Sequence, residues 1–253
     1  MGKIVAIGGG ENGHHNTAYE TAVFDKEIIK LTGKSKPNFL FIGLANQYSE
    51  YYYKVMKGIY GALYGCVTDY LTDEEHKSYD IAKSKIKWAD IIYVGGGNTL
   101  KLMNAWRKYG IDELLLEAFD KDKVLCGVSA GGICWCDYGN SDSRKFTSNS
   151  DKLIKVKGLG FVNILFCPHI ITEPERVNDL KRMMKSTYKI PAVALDKAAL
   201  EIVGNEYRVL AMNEDAIAEK CYWKNGRYIR RSIISNTFKS IEELYRRDSY
   251  DYK

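Results

Sequence analysis

The sequence predicts an α/β protein of three layers, α/β/α, with a mostly parallel central sheet and β-hairpins near the C-terminus. Three observations carry that expectation. Short apolar runs with little polar alternation recur through the first two-thirds of the chain, as strands buried on both faces do. Stretches with apolar residues at helical spacing separate them, and that alternation builds a parallel sheet covered on both sides. After residue 190 the texture changes to short strands joined by tight turns.

Taken in order, the strand-like runs are residues 4–7, 39–44, 91–94, 124–128 and 162–167, most of them ending near Gly or a polar turn. Helical patterns fall at 17–31, 49–63, 72–88, 100–108 and 112–119, the last two broken at Gly110. Residues 192–195, 199–203, 207–211 and 216–223 read as the short late strands, with Asn205 and Asn225-Gly226 as turn signals. A last helix at 240–247 precedes a charged tail. No repeat, low-complexity tract or Pro-rich linker interrupts the 253 residues, so one domain over 1–253 is expected.

Composition narrows the function classes. Charged residues make up 27%, and a net charge of +5 comes from scattered Lys and Arg without a dense run, so neither nucleic acid nor membrane is expected as a partner. The opening MGKIVAIGGG reads as a first strand, not an export signal, which points to the cytoplasm. Six cysteines are then expected as free thiols, mostly in the core. Cys134 and Cys136 form C-x-C with no nearby His at zinc spacing, so no metal is expected.

The densest chemistry lies in KVLCGVSAGGICW, residues 123–135. An apolar run enters Gly127-Val128-Ser129-Ala130-Gly131, a G-x-S-x-G, and a helix-compatible stretch follows. That is the strand–turn–helix setting of a nucleophile elbow, with Ser129 raised above the carboxyl edge of the sheet. A glycine-rich turn carrying an exposed serine has the same pattern. A second segment, Gly95-Gly96-Gly97-Asn98, also leaves a strand at that edge. N–H groups of Gly97 and Ala130 there could form an oxyanion hole; close helix–strand packing is the plainer use of the glycines. The segment lacks the Lys and Ser/Thr of a phosphate loop.

Four histidines are available: His14, His15, His76 and His169. His76 lies in a charged stretch expected to be exposed, and His14 and His15 follow the first strand. His169 ends the run through Cys167-Pro168 on the expected edge and is the candidate general base, with a structural role as the alternative. Asp196, at the end of the 192–195 strand, is the first choice to orient the imidazole, ahead of Asp142 and Asp137; the alternative is an exposed turn aspartate. Gly8-Gly9-Gly10-Glu11-Asn12-Gly13 matches G-x-G-x-x-G, but the next strand ends Ile42-Gly43-Leu44-Ala45 without the acidic residue a dinucleotide site needs. No cofactor is expected; these glycines suit a turn or the wall of the same cleft.

VGGGNTLKLM, GVSAGGICW, CPHI and ALDKAAL, in this order, resemble the peptidase E and cyanophycinase family of serine peptidases. The resemblance runs from IVAIGGG to about residue 203 and implies a class I glutamine amidotransferase-like, flavodoxin-like fold. It implies Ser129 as nucleophile, His169 as base and Gly97 and Ala130 as oxyanion donors. Asp196 falls where the family carries its orienting carboxylate, a Glu in aspartyl dipeptidases. It also implies cleavage of small peptides with an acidic residue at the cleaved bond. Asn98 and Arg176 are the candidate substrate contacts, Arg176 as a carboxylate clamp. A homodimer is an open partner. The rival readings are a non-catalytic binding protein of the same fold and an esterase or amidase without peptide preference.

Overall fold

The computed structural model describes residues 2–13, 17–187 and 189–247. The first half contains β1 (Lys3–Ile7), α1 (Ala22–Leu31), β2 (Asn38–Ile42), α2 (Ser49–Met56), β3 (Val67–Leu71), α3 (Tyr79–Trp88), β4 (Ile91–Val94), α4 (Thr99–Tyr109) and α5 (Ile111–Asp120). A π-helical stretch, Lys57–Leu63, continues α2. The middle of the chain supplies β5 (Val124–Val128), α6 (Ala130–Ile133), β6 (Cys136–Ser141), α7 (Ser143–Ser148), β7 (Ile154–Lys157), β8 (Val162–Cys167) and α8 (Glu175–Ser186). The remainder is β9 (Ala192–Asp196), β10 (Ala198–Val203), β11 (Glu206–Ala211), β12 (Ile217–Lys224), β13 (Arg227–Ser232), β14 (Ser235–Ser240) and α9 (Ile241–Tyr245).

These strands form two sheets. The first runs β14-β11-β10-β1-β5-β4-β2-β3, and the second runs β13-β12-β9-β8-β6-β7. The five strands β1 to β5 of the first sheet are mutually parallel, with β10, β11 and β14 added antiparallel at one side. In the second sheet β6, β8 and β9 are parallel and the outer pairings antiparallel. The α/β class and its flavodoxin-like parallel core are therefore as expected. The second sheet is an addition: His169 follows one strand of that sheet and Asp196 ends another, whereas Ser129 follows a strand of the first.

Period-two burial explains the layers. From β1, β2 and β4, Ile4, Ala6, Leu40, Ile42, Ile92 and Val94 face a core with Ala82 and Ile86 of α3, Leu102, Met103 and Trp106 of α4, and Leu114 and Leu115 of α5. Their neighbours Val5, Ile7, Phe39, Phe41, Ile91 and Tyr93 face Phe24 and Ile28 of α1 and Tyr52 and Met56 of α2. Each such side chain, fully removed from water, contributes about 1.5–3 kcal/mol. One face of the second sheet joins the first core through Phe166, Val193 and Leu195, and the other packs on Leu180, Met183 and Met184 of α8.

The tyrosine-rich turn at 51–53 divides by helical geometry. Tyr52 is buried against Phe41, Tyr53 stacks on Tyr70 at 5.1 Å, and Tyr51 is exposed. The 17–31 helix begins at Ala22. The 72–88 pattern resolves into a 3-10 turn at Glu75–Lys77 and α3. Among the described residues no helix is long and apolar enough to cross a membrane, and all six cysteines are buried free thiols.

Candidate active site

The carboxyl end of β5 turns sharply into α6, and Ser129 sits at the bend with φ 55° and ψ −110°. A non-glycine residue in this region is strained by about 1–3 kcal/mol and persists where surrounding contacts over-determine it. Those contacts are explicit. Ser129 N–H donates to the Ile7 carbonyl at the end of β1 (3.0 Å), and the Ser129 carbonyl accepts from Gly132 and Ile133 N–H groups (2.9 Å each). Gly131 is required by the close approach of β4: a Cβ there would stand 1.9 Å from the Val94 carbonyl oxygen. The side chain of Ser129 is half-buried on the wall of a cleft of about 700 Å³.

The loop after β4 lies against this bend. A methyl group at Gly96 would stand 3.5 Å from Ser129 Cβ. Gly95 N–H donates to Ile42 O and Asn98 N–H to Ala45 O, each at 2.9 Å. The N–H groups of Gly97 and Ala130 donate to no acceptor among the described residues. Gly97 lines the same cleft as Ser129, and Ala130 directly follows it. Asn98, expected to touch substrate, is 5% exposed and is the N-cap of α4, its Oδ1 accepting from Lys101 N–H at 3.0 Å. Its Oδ1 is thus engaged in capping the start of α4, and Asn98 is not among the residues that line the cleft.

His169 follows β8 with φ 58°, and its N–H donates to Gly8 O at 2.8 Å, tying the second sheet to the end of β1. Its imidazole lines the same cleft as Ser129 and Gly97. Burial first, and the Arg176 guanidinium second, hold its pKa below the usual 6.5, with Asp196 pulling the other way. The ring is therefore neutral near pH 7, the form a general base needs.

Asp196, at the end of β9, is 1% exposed and also reaches the cleft. Its Oδ2 accepts from the N–H groups of Ile171 (2.9 Å) and Thr172 (3.1 Å) and from Thr172 Oγ1 (3.2 Å). Its Oδ1 accepts from Lys197 N–H at 2.9 Å. Asp196 thus grips the turn that follows His169; no hydrogen bond joins it to the ring among the described residues. A Cβ at Gly9 would fall 2.3 Å from Asp196 Oδ1 and 3.4 Å from His169 Nδ1, so the first glycine loop leaves room for both side chains. Gly10 lines the cleft, in keeping with the cleft-wall reading of that loop.

Arg176 departs from the expected substrate clamp. It is 1% exposed, and its Nη1 donates to the Asn140 carbonyl (2.8 Å) and Oδ1 (3.2 Å), while Nε and Nη2 both reach Glu173 Oε2 at 2.9 Å. A guanidinium taken from water is costly unless paired, and here the pairing is internal. Asp142 lies 4.0 Å from Arg176, and neither it nor Asp137 lines the cleft. His76, expected to be exposed, is 1% exposed, with Nδ1 against the Thr72 carbonyl at 2.8 Å. Its charged neighbours point outward while the ring packs inward. His14 and His15 lie outside the described residues. Among those described, no group of three or more His, Cys, Asp or Glu is placed to hold a metal.

The sequence alone did not single out Glu11, Glu20, Glu173 or Tyr52, all of which line the cleft. For Glu173 a signal existed: it lies one helical turn after His169, and its N–H donates to the His169 carbonyl at 2.8 Å.

The model of peptidase family S51 matches residues 4–210. The chain is 30% identical over 233 residues to the uncharacterized peptidase YgaJ of Bacillus subtilis (strain 168), covering 87% of this chain and 96% of that one. It is 26% identical over 148 residues to the uncharacterized peptidase Lin0382 of Listeria innocua, covering 58% of this chain and 67% of the relative. A crystal structure of a peptidase from an acI-B1 Actinobacterium shares the fold, with a TM-score of 0.70 at 18% identity, over 94% of this chain and 96% of that one.

Proposed function

The chain belongs to peptidase family S51, and from that premise we propose that it is a serine peptidase acting on short peptides through an acyl-enzyme. Ser129 Oγ attacks the scissile carbonyl while His169 accepts its proton. The N–H groups of Gly97 and Ala130 receive the developing oxyanion. His169 then protonates the leaving amine. A water, deprotonated by the same imidazole, hydrolyses the ester and releases Ser129. Asp196 is a positioning residue that holds the turn behind the imidazole.

The observation that carries this reading is the strained bend at Ser129, sharing one cleft with Gly97 and the half-buried His169. A volume of about 700 Å³ falls within the ~300–1,000 Å³ range of small-ligand sites and suits a short peptide. A cytoplasmic setting belongs to the same proposal, supported by the buried free thiols. Replacing Ser129 with Ala is expected to abolish hydrolysis of a dipeptide panel while leaving the circular dichroism spectrum and melting temperature in place. Turnover retained by the folded variant would refute it.

A further inference from the structure

The charge of the cleft runs against an acidic substrate. Glu11, Glu20 and Glu173 line it together with Asp196, and Lys197 is its one Lys or Arg among the described lining residues. The Lys197 ammonium lies 3.9 Å from the carboxylate of Asp215, which is not part of the cleft. Asp196 is enclosed by its four donors. Glu20 Oε2 accepts from Glu11 N–H at 3.1 Å.

Glu173 differs from these in being both braced and available. Its Oε2 takes two donors of the buried Arg176, its N–H is tied to the His169 carbonyl, and its Oε1 has no partner among the described residues. Arg176 is in turn anchored at Asn140, 36 residues away in the chain. In a substrate clamp for carboxylates the guanidinium would face the cleft. Here the order is reversed, with the guanidinium behind and the carboxylate in front.

We infer that Glu173, braced by Arg176, receives a cationic group of the substrate beside the scissile bond, so that the cleft selects basic over acidic short peptides. This rests on the peptidase reading for its chemistry but on charge and geometry for its selectivity. A carboxylate held in a fixed pose forms a charge-assisted hydrogen bond with an alkylammonium or guanidinium, without first having to be ordered.

The test compares Lys-Ala, norleucyl-Ala and Asp-Ala, each free and Nα-acetylated, in two assays: turnover by the wild-type protein, and calorimetric binding to the Ser129→Ala protein. Lys-Ala is expected to exceed norleucyl-Ala by about ten- to hundred-fold in kcat/KM and in affinity, with Asp-Ala weakest. Glu173→Gln is expected to collapse the Lys-to-norleucine ratio, whereas a merely structural role would lower both substrates together and leave the ratio intact. If the Lys advantage is absent, selection of basic side chains by Glu173 is overturned, whatever acetylation does to binding. Equal affinity for all side chains irrespective of acetylation, or preference for Asp-Ala, overturns the inference. Should Glu173→Gln fail to fold, the wild-type comparison decides alone. Binding selectivity without any turnover would count against the peptidase reading and leave the cation site standing.

Discussion

The two sheets hold their shares of the cleft by different means. At the end of the first sheet, Ser129 is placed by backbone: three main-chain hydrogen bonds and a glycine that lets β4 approach. At the end of the second, His169 has main-chain hydrogen bonds to Gly8 and Glu173 and is placed in addition among buried charges, with Asp196 gripping its turn and Arg176 lowering its pKa. The nucleophile thus depends on steric fit and the base on electrostatics. Substitutions on the two sides should fail in different ways.

The largest expected effect is on the nucleophile itself. Ser129→Ala should lower kcat by a factor of about 10⁴ or more, with the unfolding transition unmoved, as read from steady-state rates and thermal denaturation. A loss of stability comparable to the loss of rate would break the separation between fold and chemistry on that side.

Next is the buried guanidinium. Arg176→Gln should destabilise the protein by about 3–5 kcal/mol, since it strands Glu173 and Asn140 beside an empty position. It should also move the acid limb of kcat/KM. The base works when neutral, so rate rises as pH climbs through the His169 pKa. That pKa lies below 6.5 because of burial and the guanidinium, and removing the cation shifts the limb upward. The same depressed pKa gives His169 a contribution to stability that is present above its unfolded value and lost as pH falls through the folded one. A pH profile unchanged in Arg176→Gln would contradict the electrostatic account of the second side.

A smaller, purely steric effect is expected on the first side. Gly131→Ala places a methyl against the Val94 carbonyl and should cost about 1–3 kcal/mol, lowering activity without moving the acid limb. Gly58→Ala, where an added methyl meets nothing within 4 Å, is the control that should leave rate intact. The smallest effect belongs to Thr172→Val, which removes one of the donors to Asp196 Oδ2. It should cost about 0.5–1.5 kcal/mol in urea denaturation and lower kcat a few-fold through a looser His169 turn.

The same division explains what the sequence made legible. Strands β1, β2, β4 and β5 read clearly because burial on both faces leaves continuous apolar runs, and the glycine motifs at their ends marked Ser129 and Gly97. Strand β3 reads VTDYL with its first three residues unburied, and β13 and β14 are largely exposed, so an apolar pattern had nothing to register. The second sheet went unrecognised as a separate sheet because pairing β6 with β8 and β12 with β9 depends on long-range contacts. His76 misled because a charged sequence neighbourhood suggests exposure, yet its ring packs inward against the Thr72 carbonyl; Arg176, expected as a carboxylate clamp, is instead held by Asn140 and Glu173, partners that its position in the sequence does not reveal. Asn98, expected as a substrate contact, caps α4, a role that only its geometry shows.

The most direct measurement is covalent titration of the cleft by a fluorophosphonate, followed by peptide mass spectrometry across a pH series. The account predicts one adduct per chain, on Ser129, with a rate that rises through a midpoint below 6.5 and that falls steeply in His169→Ala. An unlabelled Ser129 in folded protein, or labelling indifferent to His169, would contradict it.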